Sequence, residues 1–129
     1  MKKIRILLCL MLVLSMSGCV RKHSGFVSDG EYYSAQVTDD KLVLTLKKDT
    51  ITETWKVENE PVLFSIDDFI EHDDFVELDI TALDNGSDTI TLCHILDDGS
   101  SRSYKLTLDI SKQLMTSLFI SKISFVDVD

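Results

Sequence analysis

From Glu31 onward apolar and polar residues alternate, the period of two that marks half-buried strands. Tyr33, Ala35 and Val37 share one face of the first stretch, and Asp39-Asp40 turns the chain. Lys41 to Leu46 repeats the pattern with Leu42, Leu44 and Leu46 inward, and Lys47-Lys48-Asp49 is a polar connection. Thr50 to Val57 places Ile51, Trp55 and Val57 on one side and threonines on the other. β-Branched and aromatic side chains suit such a pleated surface. Pro61 opens the next strand, where its missing N–H is harmless, with Val62, Phe64 and Ile66 in register.

Between Ser65 and Asp74 the period changes. Ile66, Phe69 and Ile70 stand at helical spacing, and Ser65-x-x-Asp68 has the form of a capping box. One or two helical turns crossing between sheets are predicted here. The alternation then resumes over Phe75 to Ile110. Val76, Leu78, Ile80 and Ala82 form one apolar face, Ile90, Leu92, His94 and Leu96 a second, and Tyr104, Leu106, Leu108 and Ile110 a third. Asp84-Asn85-Gly86-Ser87 and Asp97-Asp98-Gly99-Ser100 separate them, and Asn and Gly accept the positive φ of tight turns. Three strands and two turns predict an antiparallel meander with one wet face. Ser111-Lys112-Gln113 turns once more, and Leu114 to Val128 supplies one long strand or two short ones.

About eight strands at intervals near 8–12 residues predict an all-β antiparallel sandwich with one short helical crossover. A small up-and-down barrel, with a ligand cavity in place of a filled core, is the alternative. A parallel sheet would need intervening helices, for which there is no room.

The alternation does not reach the N-terminus. Lys2, Lys3 and Arg5 precede an unbroken apolar run, Ile6 to Leu14, then Ser15, Ser17 and Gly18. That order is a secretory signal, and the run is too short to span a bilayer. Met16-Ser17-Gly18-Cys19 resembles the lipobox of bacterial lipoproteins, with Met16 in the usual leucine place. The resemblance implies cleavage after Gly18 and lipidation of Cys19. It divides the chain into a signal peptide over 1–18, a lipidated N-terminus and tether over 19–30, and a β-sandwich domain over 31–129. Each buried methylene contributes roughly 0.8 kcal/mol, so two or three acyl chains would anchor the domain stably. The location implied is extracytoplasmic, on the cell membrane or the outer membrane.

Removal of 1–18 takes away Lys2, Lys3 and Arg5 and no acidic residue. It leaves 10 basic and 22 acidic residues, a net charge of −12. Between Lys56 and Arg102 there are 13 acidic residues and no Lys or Arg. Such a surface repels nucleic acid and anionic headgroups. The membrane is then a partner only through the anchor at Cys19, and a protein or an envelope polymer is the remaining class of ligand. Of Cys9, Cys19 and Cys93, only Cys93 stays a free thiol, so no intramolecular disulfide is expected.

The run Leu83-x-x-Gly86 through Ile90-x-Leu92, Asp98-Gly99 and Tyr104-x-Leu106-x-Leu108-x-Ile110 resembles the last strands of immunoglobulin-like bacterial surface domains. Leu42-Val43-Leu44-Thr45-Leu46, a short connection and Trp55 are similar in layout to chagasin-type inhibitors of papain-like cysteine proteases. In place of that family's inhibitory Asn-Pro-Thr-Thr-Gly stands Asp49-Thr50-Ile51-Thr52-Glu53. Its Gly-rich loop and aromatic third loop are also replaced. The resemblance implies an immunoglobulin-like sandwich and transfers no functional residue.

Candidate chemistry is sparse. Cys93 and His94 are adjacent on a strand, so their side chains point to opposite faces. Asp67, Asp68, Glu71, His72, Asp73 and Asp74 carry oxygen ligands of the kind Ca²⁺ takes, and the stretch from Glu58 to Asp98 poses the same question at large. Asp84-x-Gly86-x-Asp88 has half the form of a calcium loop, but turn chemistry accounts for it. The chain has no phosphate loop, nucleophile elbow or zinc spacing. The reading is a non-enzymatic envelope lipoprotein with a binding or structural β domain, without catalytic residues, metal or cofactor. A chagasin-like inhibitor and a small envelope hydrolase are the alternatives.

Overall fold

The structure, a computed structural model, describes residues 25–114 and 117–128. The expected signal segment 1–18 and the expected lipidation site Cys19 lie outside the described residues. Among the described residues nine strands carry the alternation: β1 (Phe26–Asp29), β2 (Tyr33–Thr38), β3 (Lys41–Lys47), β4 (Thr54–Val57), β5 (Phe64–Glu71), β6 (Phe75–Ala82), β7 (Gly86–Ile95), β8 (Ser101–Gln113) and β9 (Ser117–Asp127). They form two antiparallel sheets, β1-β2-β3-β6-β5 and β4-β7-β8-β9. Lettered A to G from β2, the strands fall as A-B-E-D and C-F-G. That is the order of the constant-type immunoglobulin sandwich, with β1 added beside A and β9 beside G. The sheets keep separate edges, so the barrel alternative is excluded.

The inner faces are the apolar faces of the alternation. Leu42, Leu44, Leu46, Val76, Leu78 and Ile80 from one sheet meet Ile90, Leu92, Tyr104, Leu106, Leu108 and Ile120 from the other, all buried. Trp55 on β4 is buried among them, and its Nε1–H donates to the Lys47 carbonyl at 3.0 Å. A buried tryptophan on the third strand is characteristic of this sandwich.

Several local expectations are corrected. No helix forms over Ser65 to Asp74, because that segment is β5 and a turn. β5 contains a bulge: Ile66 pairs with Ile80 and Asp68 with Asp79, leaving Asp67 as the extra residue. One residue inserted into a period of two separates Ile66 from Phe69 by three positions and imitates helical spacing. The Ser65 hydroxyl donates to Asp67 at 2.8 Å instead of capping a helix. The meander is also corrected. β7, β8 and β9 do form one, but β6 lies in the other sheet, so the link 83–85 is a crossover. The Leu83 N–H donates to the Leu63 carbonyl at 2.8 Å, fastening the end of β6 to the β4–β5 crossover. Ile51 and Val62 are exposed and lie outside the strands. β8 runs on through Gln113, past the expected turn. β1 occupies part of the expected tether.

Asp88 anchors the β4–β5 crossover. Its carboxylate accepts the N–H groups of Val62 (2.6 Å), Leu63 (2.8 Å) and Thr89 (2.8 Å). Burial alone would raise its pKa, but these three hydrogen bonds together bring it below the ordinary 3.8. A carboxylate with a lowered folded pKa adds stability that is complete above its unfolded value and lost as pH falls through the folded one. Asp88→Asn should therefore cost about 1 kcal/mol at neutral pH and nothing once both proteins are fully acid-titrated. Urea unfolding between about pH 7 and pH 3 checks this; a cost that stays constant across the range would refute it.

Candidate binding end of the sandwich

Antiparallel pairing puts the links β1–β2, β3–β4, β5–β6 and β7–β8 at one pole. The end of β9 lies there too, because Asp127 pairs with Tyr104. In an immunoglobulin-type sandwich the β3–β4 and β7–β8 loops belong to the end that serves recognition in variable domains.

The loops at this pole are braced. The β3–β4 loop, residues 48–53, binds the β5–β6 loop through Lys48. Its N–H donates to the Asp74 carbonyl (3.0 Å), and its Nζ donates to the His72 carbonyl (3.0 Å) and to Glu71 (3.2 Å). The Lys48 side chain is buried, so these bonds hold a charge out of water. The His72 ring stacks on Phe75 with centroids 4.2 Å apart. On the other side, Thr50 Oγ1 donates to Asp97 at 2.6 Å, and the Thr52 hydroxyl donates to the same carboxylate. The two hydroxyls lower the Asp97 pKa, and the Ser100 hydroxyl and N–H lower that of Asp98.

Under the loop lies a buried polar pair. Glu53 is 4% exposed and His94 1%, and Glu53 Oε1 stands 2.8 Å from His94 Nε2. A carboxylate only accepts, so the network assigns the Nε2 proton to His94. The same Oε1 accepts the Asp49 N–H at 3.1 Å. The His94 ring lies flat on Trp55, with centroids 4.2 Å apart and planes 3° apart. Cys93 points the other way, as strand alternation requires, so thiol and imidazole do not face one another. In the sequence Glu53 stands only as a charge within the expected strand Thr50 to Val57, whose first residues are loop in the structure. No periodicity paired it with a histidine 41 positions later.

A cleft of about 360 Å³ opens beside this pair, between the start of β2 and the end of β9. Tyr32, Tyr33, Tyr104 and Phe125 wall it, and Glu31, Arg102 and Asp127 line its rim. Tyr33 stacks on Phe125 at 4.3 Å, Phe125 on Tyr104 at 5.1 Å, and Tyr104 approaches Trp55 at 5.5 Å. One aromatic chain thus runs from the His94–Glu53 pair to the surface. Arg102 and Asp127 form an ion pair at 3.0 Å.

The other candidate residues do not converge. Asp67 accepts from the Ser65 and Thr81 hydroxyls, Glu71 pairs with Lys48, and the Asp88 carboxylate is taken by three N–H groups. Among the described residues no cluster of His, Cys, Asp or Glu has the arrangement of a metal site. Nor, among them, is any helix long and apolar enough to cross a membrane. Comparison with family models, with curated proteins and with solved structures gave no match.

Proposed function

We propose that the chain is a cell-envelope lipoprotein, anchored through Cys19, whose sandwich offers its braced pole as a non-enzymatic binding surface for a protein or envelope polymer. The direction of β1 is the observation that carries this reading. Phe26 pairs with Val37 and Asp29 with Ser34, so the chain enters at the pole opposite the braced loops. The entry is tightly held: a Cβ on Gly25, at φ +133°, would run into the Val37 carbonyl oxygen. Cys19 is six residues before Gly25, at most about 20 Å of extended chain. A lipid on Cys19 would therefore keep the entry pole near the bilayer and turn the loops outward. Preformed loops also suit binding, since less entropy is lost on association.

Cys19→Ser should release the protein from membranes or leave its precursor uncleaved; a variant that fractionates and matures like wild type would sink the anchor. The outward direction has a separate test in a Cys93→Ser background. An impermeant, bulky maleimide should label Asp98→Cys, on the loop pole, faster than Asn85→Cys on the entry pole. Equal rates would sink the orientation.

The clustering of the β3–β4, β5–β6 and β7–β8 loops at one pole also favours a second reading, the chagasin-like inhibitor. Against it, Thr50 and Thr52 are tied down to Asp97 and do not form a projecting wedge. Titration against a papain-like protease decides: sub-micromolar inhibition would put the second reading first. A hydrolase screen of the same preparation tests the non-enzymatic part, and turnover abolished by substituting one carboxylate or His94 would overturn both readings.

A further inference from the structure

We propose that the aromatic cleft between β2 and β9 receives the cationic side chain, lysine or arginine, of a basic polypeptide. The proposal rests on the binding reading of the braced pole, whose ligand class it names; it does not depend on the anchor. Three observations converge on it.

The walls are aromatic. Tyr33, Phe125 and Tyr104 form a stacked series, and Tyr32 stands 6.3 Å from Tyr104. Ring faces that stacking leaves uncovered attract cations through their quadrupoles, more strongly when water is thinned out around them. The cleft, at about 360 Å³, falls in the lower range of sites that enclose a small group.

The rim already holds a cation of the proposed kind. Arg102 pairs with Asp127 at 3.0 Å among the lining residues, so the cleft accommodates a guanidinium and that carboxylate is already matched. Glu31, exposed on the β1–β2 link, adds a further carboxylate to the lining. The Tyr104 hydroxyl reports the local field. Burial raises its pKa first, and the charges of Asp127 and Glu31 raise it further against the opposing Arg102.

The surroundings select the sign of the ligand. Asp49, Asp73, Asp74, Asp97 and Asp98 are exposed at the same pole and outnumber its exposed cations, Lys47 and Arg102, while Lys48 is buried against Glu71. Such a field draws in basic chains and turns away anionic ones. A neutral saccharide would use the same rings but gain nothing from the charge. The observations therefore favour the basic polypeptide.

The test is fluorescence anisotropy of labelled octalysine titrated with the full chain in uncharged polyoxyethylene micelles at low salt. Tyr33→Leu and Glu31→Gln should each weaken binding about five-fold, the loss of about 1 kcal/mol. Tyr33→Phe, which keeps the ring, and Glu60→Gln, which removes an exposed charge at the entry pole, should each change it less than about two-fold, and Asp98→Asn, one of several carboxylates at the loop pole, should weaken it less than Glu31→Gln does. Thermal melts confirm that each variant is folded, and Glu31→Gln, at an exposed site, remains decisive if Tyr33→Leu is not. Absence of octalysine binding overturns the proposal. So does binding that falls equally with Asp98→Asn and Glu31→Gln and ignores Tyr33→Leu; that result would leave the pole as a binding surface while removing the cleft from it. A neutral chito-oligosaccharide that binds in place of octalysine, and is lost with Tyr33→Leu, also overturns the cationic ligand but keeps the binding reading.

Discussion

Leu106→Ala is expected to destabilise the protein by about 2–5 kcal/mol, enough to threaten folding of a domain of this size. Leu106 is fully buried at the centre of β8, which is paired on both sides, with β7 and β9. Truncation removes the methyl groups that fill the space between the sheets, and neighbours held by hydrogen-bonded strands on both flanks can collapse only partly into the gap. The adjacent Thr107 faces outward, half-buried, and its hydroxyl shares a hydrogen bond of 2.8 Å with Thr89 across the β7–β8 pair. Thr107→Ala should cost about 0.5 kcal/mol, the net value of one partly solvated bond. Urea unfolding of the two variants compares them directly. Equal costs would mean that the inner and outer faces of β8 had been assigned wrongly.

Glu53→Ala should cost about 3 kcal/mol, a large effect for a loop residue. It strips the acceptor from His94 Nε2–H and from the Asp49 N–H, leaving a buried donor beneath the loop that water cannot easily reach. Glu53→Gln retains an amide oxygen in the same place and should cost about 1 kcal/mol. The loop also loses its tie to β7, so exchange of the Asp49 amide should quicken. Trp55 fluorescence offers an independent readout, because the His94 ring lies against the indole. If Glu53→Ala is as mild as Asp49→Ala, whose side chain is exposed, the pair does not hold the loop.

Much of the sandwich was legible as alternation. Leu42, Leu44 and Leu46, then Val76, Leu78 and Ile80, then Tyr104, Leu106 and Leu108 point inward as their spacing requires. The reason is local: successive side chains on a strand leave on opposite faces whatever the strand pairs with. That same indifference hid the pairing. β6 and β7 alternate equally well as hairpin partners or as members of facing sheets, and the short link 83–85 permits either. The crossover is fixed by contacts distant in sequence, such as the Leu83 N–H to the Leu63 carbonyl and Asp88 to Val62 and Leu63. The bulge at Asp67 misled for a related reason, since a phase slip in a period of two and a true helical period give the same spacing over six residues.

The candidate site divides in the same way. The sequence by itself determined which residues alternate and that His94 faces inward while Cys93 faces out. It also determined that the chain after residue 18 is strongly acidic and that Cys19 follows a signal-like run. These are properties of neighbouring residues or of composition. Only the tertiary structure decided that Glu53 meets His94, that Lys48 is buried against Glu71, and that Tyr33, Tyr104 and Phe125 line one cleft. Each of those contacts joins side chains from different strands or loops, and it arises because two twisted sheets with connected ends bring remote residues to one pole. No periodicity along a single strand can encode such a meeting, since a strand fixes the direction of its own side chains and nothing about what stands opposite them.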